Sequence, residues 1–286
     1  MARSWGRAGL WAAMALTLSA CGVIGGLGGG SGGVRTPGTL DTLTPEQIYT
    51  RGEQSLEAGQ EDDAAFLFTE IERLYPYSEW ARRGLIMAAF AYHRDQDYEN
   101  ARAAAQRYLD FYPAEEDAAY AQYLLALSYY DQIDDVGRDQ GLTFQALQAL
   151  RAVIEIYPDS PYAADAVVKF DLAFDHLAGK EMEIGRFYLA GGHYTAAVNR
   201  FRVVVEDFQT TRHTPEALHR LVEAYLALGL TNEAQTAGAI LGANYQATEW
   251  YRDSYALLTG RGLSLQPAGN NWLTAIYRQV VLGQPI

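Results

Sequence analysis

The sequence predicts an all-α protein, a right-handed superhelix of about five tetratricopeptide-like helix pairs. Beyond residue 44, Ala, Leu, Tyr, Glu and Arg recur with helical spacing, and almost no stretch alternates in the manner of a strand. Small and aromatic residues also recur with a period near 37 residues, which is typical of helix-pair repeats. A helix pair of this length cannot bury its apolar stripe alone, so consecutive pairs are expected to stack.

Residues 1–20 are interpreted as a lipoprotein signal peptide. Arg3 and Arg7 precede an apolar run that is too short to span a bilayer, and the run ends in the lipobox LSAC at residues 18–21. Cys21 is the only cysteine of the chain, so it cannot form an internal disulfide. We expect cleavage before Cys21, followed by N-palmitoylation and attachment of S-diacylglycerol. The alternative is an ordinary signal peptide that happens to contain a cysteine.

Residues 21–43 are interpreted as the lipidated cysteine and a flexible tether, because eight glycines lie between positions 22 and 33. No other apolar segment approaches the ~20 residues of a spanning helix. Position 22 is not Asp, which favours the outer membrane under the sorting rule of enterobacterial lipoproteins. We therefore expect a lipid-anchored protein on the periplasmic face of the outer membrane.

Charge limits the range of partners. Cleavage would remove two of the 22 basic residues and none of the 35 acidic ones, which leaves a net charge of −15. Such a surface repels nucleic acid and anionic lipid. The sequence therefore predicts no nucleic-acid partner and attachment to the membrane through the lipid anchor.

Residues 44–160 are predicted to contain repeats 1–3, and residues 161–259 repeats 4 and 5 with flanking helices. Small residues stand where two helices touch, aromatic residues fill the remaining space, and proline often follows the second helix. An insertion at residues 131–143 lengthens the third repeat. The repeat positions are Gly52, Gly59, Ala64, Phe68 and Pro76; Ala89, Tyr92, Tyr98, Ala101 and Pro113; Ala126, Tyr129, Ala146 and Pro158; Gly185, Tyr188, Gly192, Tyr194, Ala197 and Phe201; and Leu221, Tyr225, Gly229, Ala234 and Leu241.

Several helix starts carry their own signals. Thr44, Pro45 and Gln47 predict a capping threonine, a first-turn proline and a reciprocal glutamine contact. The pairs Ser160-Pro161 and Thr214-Pro215 are expected to repeat this capping device.

Additional helices are predicted around repeats 4 and 5. A long extra helix at residues 162–178 is expected before repeat 4, and another helix at residues 249–258 after repeat 5. Residues 260–286 are interpreted as a linker and an amphipathic tail, with a helix at residues 272–282. Trp272, Ile276, Tyr277 and Val280 lie on one side of that helix, which favours a lid over the last repeat above a partner-docking role.

The sequence carries no constellation typical of an enzyme. The histidines lack the four-residue spacing of a zinc helix, and no phosphate loop or nucleophile elbow occurs. A muramidase would need a compact domain around a catalytic Glu, and too little chain follows residue 245 to form one. We therefore predict no catalytic residues, no metal and no cofactor. The five histidines are His93, His176, His193, His213 and His219.

Twenty tyrosines are the more informative feature. Many occupy repeat positions and are expected in the core. Tyr49, Tyr108, Tyr120 and Tyr123 are instead candidates for a groove, because an aromatic ring with a polar tip suits peptide binding.

Several segments carry a resemblance to a known family. They are YPYSEWA at residues 75–81, DVGRDQ at 135–140, DHLAGKEMEIGR at 175–186, AAVNRF at 196–201 and FQTT at 208–211. Together they resemble the BamD family of outer-membrane assembly lipoproteins, also called ComL-like, in its alphaproteobacterial form. The match extends from the lipobox to about residue 258. Gln246 stands where that family has proline, and the tail beyond residue 260 is not matched.

The resemblance implies a subunit of the β-barrel assembly (BAM) complex that binds the POTRA region of BamA, other BAM lipoproteins and unfolded β-barrel outer-membrane proteins. It places the client groove in the first two or three repeats and BamA on the last ones. The segments around Lys180, Glu181, Asn199 and Arg200 become the partner-binding candidates, with Arg200 as the contact to a POTRA carboxylate. The alternative for Arg200 is a surface arginine paired with Glu206 or another neighbour. A general adaptor lipoprotein that docks cell-wall enzymes or pilus or secretion subunits is the second functional hypothesis.

Overall fold

The computed structural model describes residues 40–134 and 140–284, and every regular element in these ranges is a helix. The helices are α1 (Pro45–Glu57), α2 (Glu61–Leu74), α3 (Glu79–Arg94), α4 (Tyr98–Phe111), α5 (Ala118–Tyr130), α6 (Gly141–Ile156), α7 (Ala163–Ala190), α8 (Tyr194–Asp207), α9 (Thr214–Leu228), α10 (Thr231–Asn244), α11 (Glu249–Thr259) and α12 (Trp272–Leu282). The predicted all-α class is confirmed.

Consecutive helices pack against each other from α1 to α11. The pairs α1–α2, α3–α4, α5–α6, α7–α8 and α9–α10 form five repeat units, referred to below as units 1–5. Helices two apart in the chain also touch along much of the array, as in a stacked solenoid. The five helix pairs predicted from the sequence period are therefore present.

Close helix contact depends on small residues opposite aromatic ones. In unit 1 a Cβ atom built at Gly52 would lie 2.6 Å from the Phe68 ring. In unit 4 a Cβ at Gly185 would meet the ring of Phe201 in the same way. Phe68 and Phe201 are completely buried. Since real Cβ atoms do not approach so closely, glycine is required at both positions for the rings to fill the space between the helices.

The core is divided between the two ends of the molecule. One cluster of buried side chains extends from Leu40 to Leu125, and a second extends from Leu147 to Ile276. A small cluster that includes Ala126, Leu150 and Ala166 lies between them, where α5, α6 and α7 meet.

The longest helix connects the two halves. The sequence predicted a separate helix at residues 162–178 before unit 4, but α7 extends over 28 residues from Ala163 to Ala190. The predicted extra helix and the first helix of unit 4 are thus one element. No proline interrupts this stretch, and Gly179 is buried within the helix, so nothing in the sequence forces a break.

Only one of the three predicted capping devices forms. The Thr44 hydroxyl accepts from the Gln47 N–H at 3.3 Å, and the Gln47 side chain accepts from the Thr44 N–H at 3.0 Å. Ser160 lies before Tyr162, the residue that precedes α7, and makes no cap. Thr214 is the first residue of α9, and its hydroxyl donates to the Phe208 carbonyl at 3.0 Å. The other two expectations were therefore wrong. Ser160 lies two residues before the N-cap position of α7, and the Thr214 hydroxyl is bonded to a carbonyl of the preceding turn.

The C-terminal helix covers the end of unit 5. Helix α12 packs against α10 and buries Leu273 and Ile276. The Trp272 indole N–H donates to the Tyr225 hydroxyl at 3.0 Å. Val280, predicted on the same apolar side, is 38% exposed, so the contact is made by the first two turns of the helix. This arrangement agrees with the lid interpretation.

The signal peptide, Cys21 and the glycine-rich tether lie outside the described residues, and so do residues 135–139 of the insertion. Within the described ranges, none of the helices has both the length and the apolar character that crossing a bilayer requires.

Candidate functional site

The two segments named as partner-binding candidates come together on neighbouring helices. Glu181 lies on α7 and Arg200 on α8, and the Arg200 guanidinium Nη1 contacts Glu181 Oε2 at 3.1 Å. The arginine side chain is 42% exposed. The pair therefore fixes Arg200 at the surface while leaving much of the guanidinium available to a partner.

A small cavity of about 290 Å³ lies beside this ion pair. Its lining consists of Tyr188, Ala196, Asn199, Arg200 and Val203. Asn199 is exposed, and the aliphatic residues give the cavity an apolar wall next to a cationic rim. A shallow surface of this kind suits a protein contact in which a carboxylate meets the arginine and an apolar side chain enters the cavity.

The alternative for Arg200 was a surface arginine paired with Glu206 or another neighbour, and the structure shows such a neighbour, Glu181. Glu206 is paired with Arg202, which lies four residues before it on α8, and the distance from Arg202 Nη2 to Glu206 Oε1 is 2.8 Å. Because Arg200 pairs with Glu181 of another helix and its side chain is still half-exposed, the ion pair does not prevent a contact with a partner protein. Lys180 is half-buried and engaged with its own neighbours.

A larger cavity, of about 610 Å³, lies between the end of α5, helix α7 and the turn that precedes α9. The segment at residues 175–186 lines much of it, and Asp175 pairs across it with the Arg212 Nε at 3.0 Å. The Nε2 atom of His176 is buried there without a hydrogen-bond partner. Burial lowers the pKa of His213, which also lines this space. The sequence marked the segment as distinctive but did not predict a cavity along it.

Charged side chains continue along the same helices. Arg186 of α7 contacts Glu216 of α9 at 2.9 Å, and Arg220 reaches both Glu216 at 3.4 Å and Glu223 at 2.7 Å. A cavity of about 470 Å³ lies beside Arg186, Arg220 and Glu223. This part of the C-terminal half is thus a surface of linked ion pairs.

Three of the four candidate groove tyrosines retain some exposure. The Tyr49 ring lies 5.2 Å from that of Phe68 and 5.1 Å from that of Trp80. Tyr120 and Tyr123 both stack on Tyr162, with centroid distances of 5.1 and 5.2 Å. Tyr162 and Trp80 were not predicted as site residues, because only the fold brings them beside the chosen tyrosines.

Tyr108 corrects the expectation that all four tyrosines line a groove. Its side chain is completely buried, and its hydroxyl has no hydrogen-bond partner. The residue stands one turn before the end of α4 on the face that packs into the core. A ligand therefore cannot reach it in this structure.

Burial also affects the exposed tyrosines. It raises the pKa of Tyr120 to about 12. The pKa of Tyr123 is raised by burial first and then by a hydrogen bond to Asp165. Lys169 and Tyr123 in turn hold the pKa of Asp165 below its usual range. The phenols therefore remain neutral hydrogen-bond donors throughout the physiological range.

Two of the five histidines are held by polar side chains from other parts of the chain. His93 Nε2 lies 3.0 Å from Asp131 Oδ2, and His219 Nδ1 lies 2.9 Å from the Ser254 hydroxyl. No group of three or more His, Cys, Asp or Glu side chains with the geometry of a metal site occurs among the described residues.

Comparison with known proteins identifies relatives over most of the chain. The family model YfiO, described as "Outer membrane lipoprotein", matches residues 41–240. An outer membrane protein assembly factor BamD from Caulobacter vibrioides is 46% identical over 250 residues, covering 87% of this chain and 82% of the relative. The assembly factor BamD from Rickettsia prowazekii is 42% identical over 211 residues, covering 74% and 84%.

A solved structure of a thermophilic TPR protein from Thermus thermophilus aligns with 75% of this chain and 98% of its own, at 20% identity and a TM-score of 0.36. The evidence for the family therefore comes from the sequence comparisons.

Proposed function

We propose a function from the premise that this chain belongs to the YfiO family of outer membrane lipoproteins. It is an outer membrane protein assembly factor of the BamD type, a scaffold associated with the outer membrane and not an enzyme. In finer terms, it binds the POTRA region of BamA through the surface around Arg200, and it receives unfolded β-barrel proteins in units 1–3. Cys21 carries the lipid anchor that holds it on the periplasmic face.

The proposed contact with BamA rests on one observation. Two distinctive segments, around residue 180 on the first helix of unit 4 and around residue 200 on its second helix, meet in the Glu181–Arg200 pair. Packing of helix pairs does not require an ion pair there, since the contact between α7 and α8 is already made by Gly185 and Phe201. A half-exposed cation beside an apolar cavity, on a strongly acidic protein, is suited to a carboxylate on a partner.

The first experiment tests the assembly role as a whole. Depletion of the protein should lower the folded amounts of many outer-membrane β-barrels at once, measured by heat-modifiable electrophoresis of envelopes. Normal barrel levels after depletion would rule out the assembly role.

The second experiment tests Arg200 in intact envelopes. Arg200→Glu should reduce the crosslinking yield with BamA at least tenfold, because loss of one interface charge partner costs about 2–5 kcal/mol. Arg202→Glu is the matched control: Arg202 is two residues away, is 45% exposed and also has a carboxylate partner. Equal losses from both variants would contradict a specific role for Arg200. Capture of cell-wall hydrolases alone would favour the general adaptor hypothesis.

A charge swap separates the two roles of Arg200. The double variant Arg200→Glu with Glu181→Arg restores an ion pair between α7 and α8 but reverses the charge at position 200. If Arg200 contacts a BamA carboxylate, the swap should leave crosslinking as low as in Arg200→Glu. If the arginine only joins the two helices, the swap should restore the yield.

The client groove is tested by position. A photoreactive amino acid at Tyr49 or Tyr123 should crosslink a synthetic peptide that ends in the C-terminal strand of a β-barrel protein. The same group at Phe187, which is 73% exposed in the C-terminal half, should give little adduct. Equal yields at all positions would contradict a groove in units 1–3. Because the two assays use different partners, either contact can fail without the other.

The anchor has its own test. Cys21→Ser should abolish palmitate labelling and release the protein from membranes. Retention of the variant in the membrane fraction would contradict anchoring at Cys21, and it would leave the BamA and client contacts unaffected.

A further inference from the structure

The turns that follow the second helix of units 1–3 form one edge of the molecule with exposed apolar side chains. Tyr77 is fully exposed, Phe111 is 66% exposed and Ile156 is 64% exposed. Phe111 and Ile156 are the last residues of α4 and α6, and Tyr77 lies in the turn after α2. We use the name acidic turn edge for residues 74–81, 108–118 and 152–162, which include these three side chains.

Contacts between neighbouring turns make this edge continuous. Arg82, just after the first turn, forms an ion pair with Glu115 of the second turn. Tyr120 begins the helix after the second turn and stacks at 5.1 Å on Tyr162 of the third turn. The three apolar side chains are therefore presented along adjacent units and not on separate faces.

The chemistry of the edge is one-sided. Its three segments contain seven acidic residues and no Lys, Arg or His. Several of the carboxylates, including Glu116, Asp117 and Asp159, belong to exposed residues. Arg82 and Arg83, which directly follow the first segment, pair with Glu115 and Glu79, and this leaves the other five carboxylates around the apolar groups. Such a surface is unsuited to an acidic protein surface or to anionic lipid.

The corresponding turns of units 4 and 5 are different. Polar residues, Asp207 and Asn244, end α8 and α10 at the position of Phe111 and Ile156. The turn after α8 also carries Arg212, whose side chain is 79% exposed. Since all five units have the same fold, exposure of apolar side chains at this edge is a property of units 1–3 alone and is not required by helix packing.

We propose that the acidic turn edge is a docking surface for a protein segment that carries apolar side chains flanked by Lys or Arg. The apolar residues of the segment pack on Phe111 and Ile156, and its cations meet the carboxylates of the turns. This surface adjoins the tyrosine cluster of Tyr49, Tyr120 and Tyr123, because Trp80 and Tyr162 belong to the edge and contact those rings. It is separate from the Arg200 surface, which lies in unit 4. The proposal therefore adds to the assembly role a contact for a basic segment beside the client groove, and it does not depend on the Arg200 contact.

Site-specific photocrosslinking in intact envelopes tests the proposal with the full-length chain. p-Benzoylphenylalanine is placed at position 77, 111 or 156, and at Phe144 as the control. Phe144 is 56% exposed and lies in the first turn of α6, the helix that ends at Ile156, so it samples the opposite end of the same element. The captured protein and the crosslinked segment are identified by mass spectrometry.

The expected result is one protein captured from all three edge positions, through a segment of net positive charge that contains apolar residues. The yield should exceed that at position 144 about tenfold, which corresponds to ~1.4 kcal/mol of preference. The double variant Glu116→Lys with Asp159→Lys should reduce the yield from position 77 several-fold, and so should Phe111→Ser with Ile156→Ser. Circular dichroism before crosslinking verifies that these exposed substitutions leave the fold intact.

Four outcomes would overturn the proposal. They are adducts with phospholipid only, adducts with an acidic segment, equal yields at positions 77 and 144, and no adduct from any edge position. Retention of full yield after both double variants would also overturn it, because neither the charge nor the apolar side chains would then contribute.

Discussion

Units 1–3 and units 4–5 have the same packing rule but different surfaces. In both halves a glycine of the first helix faces a buried phenylalanine 16 residues later, Gly52 with Phe68 and Gly185 with Phe201. Outside this contact the halves diverge: stacked tyrosines and exposed apolar turns characterise the first, and linked ion pairs the second. The shared contact explains how the two helices of a unit pair closely, and the divergent surfaces explain how one array could hold different partners.

The comparison also locates the point of contact between the halves. Few buried side chains join the N-terminal and C-terminal clusters, and the small cluster around Ala126 and Leu150 lies between them. Helix α7 extends from this junction into unit 4. A solenoid of this kind is stabilised mainly by contacts between nearest neighbours, so each half is expected to respond to core substitutions in its own units.

The largest effect is expected from removing the shared phenylalanines. Phe68→Ala and Phe201→Ala should each lower the free energy of unfolding by about 3–5 kcal/mol, because a fully buried ring is lost and a cavity remains. Urea unfolding followed by circular dichroism measures this. Phe187→Ala is the control, since that ring is 73% exposed and its loss should change stability by no more than ~0.5 kcal/mol.

Unequal losses in the two phenylalanine variants would break the comparison. If Phe201→Ala were severe and Phe68→Ala mild, the Gly–Phe contact would not be the common packing element of the array. The larger loss of stability would then reflect the particular side chains around that phenylalanine.

A smaller effect is expected at the C-terminal end of the array. Trp272→Ala should lower the free energy of unfolding by about 2–3 kcal/mol, less than for a fully buried tryptophan, because the ring is only partly buried. The substitution removes the bond to the Tyr225 hydroxyl at 3.0 Å and the contact of the Arg202 guanidinium with the ring at 4.9 Å. Trp272→Phe keeps most of the ring contact and should cost about 1 kcal/mol.

The result at Trp272 also decides what α12 does. A loss close to zero for both variants would contradict the lid interpretation, and α12 would then be free to bind a partner instead.

The fold could be predicted from the sequence because its main determinants are local or periodic. The pattern of Gly52, Phe68 and their later counterparts predicts helix pairs, and stacking follows from their exposed apolar faces. The continuity of α7 could not be predicted, because the start of unit 4 was placed from repeat spacing and no chain break marks it. Ser160 resembles a cap in sequence, but caps depend on backbone conformation at one residue.

The candidate sites were less accessible to sequence analysis. Arg200 and Glu181 were both found through their distinctive segments, but the ion pair between them could be identified only once α7 and α8 were placed side by side. Tyr108 was misplaced for a related reason. Its face of α4 could be assigned as groove or core only from the neighbouring helices, and the structure buries it.

The C-terminal half should be more sensitive to acid than units 1–3 because of His219. The imidazole is buried between α9 and α11, next to Ser254 and the ring of Trp250, and burial lowers its pKa below the ordinary value of a histidine. The unfolded chain therefore takes up this proton before the folded chain does. Stability is fully present above about pH 6.5 and falls as the pH drops from there toward the folded-state pKa.

We expect a loss of stability between pH 7 and pH 5.5 that is absent from His219→Gln, and a single group can contribute no more than about 1.4 kcal/mol per pH unit. Urea titrations at a series of pH values measure the difference. Burial lowers the pKa of His213 in the same direction, so His213→Gln should flatten the remaining slope. A pH profile unchanged in both variants would show that carboxylates and not these histidines determine the acid response.

The smallest effect on stability is expected at the surface that we propose binds BamA. Arg200→Gln and Arg202→Gln each remove one half-exposed ion pair, and such pairs contribute about 0–1 kcal/mol. Arg202 also contacts the Trp272 ring, so its loss should be the larger of the two. Thermal unfolding of both variants measures the difference. If Arg200→Gln lowered stability by several kcal/mol, weaker capture of BamA by Arg200 variants could be explained by unfolding. If stability is nearly unchanged, the weaker capture is due to the lost contact at the interface.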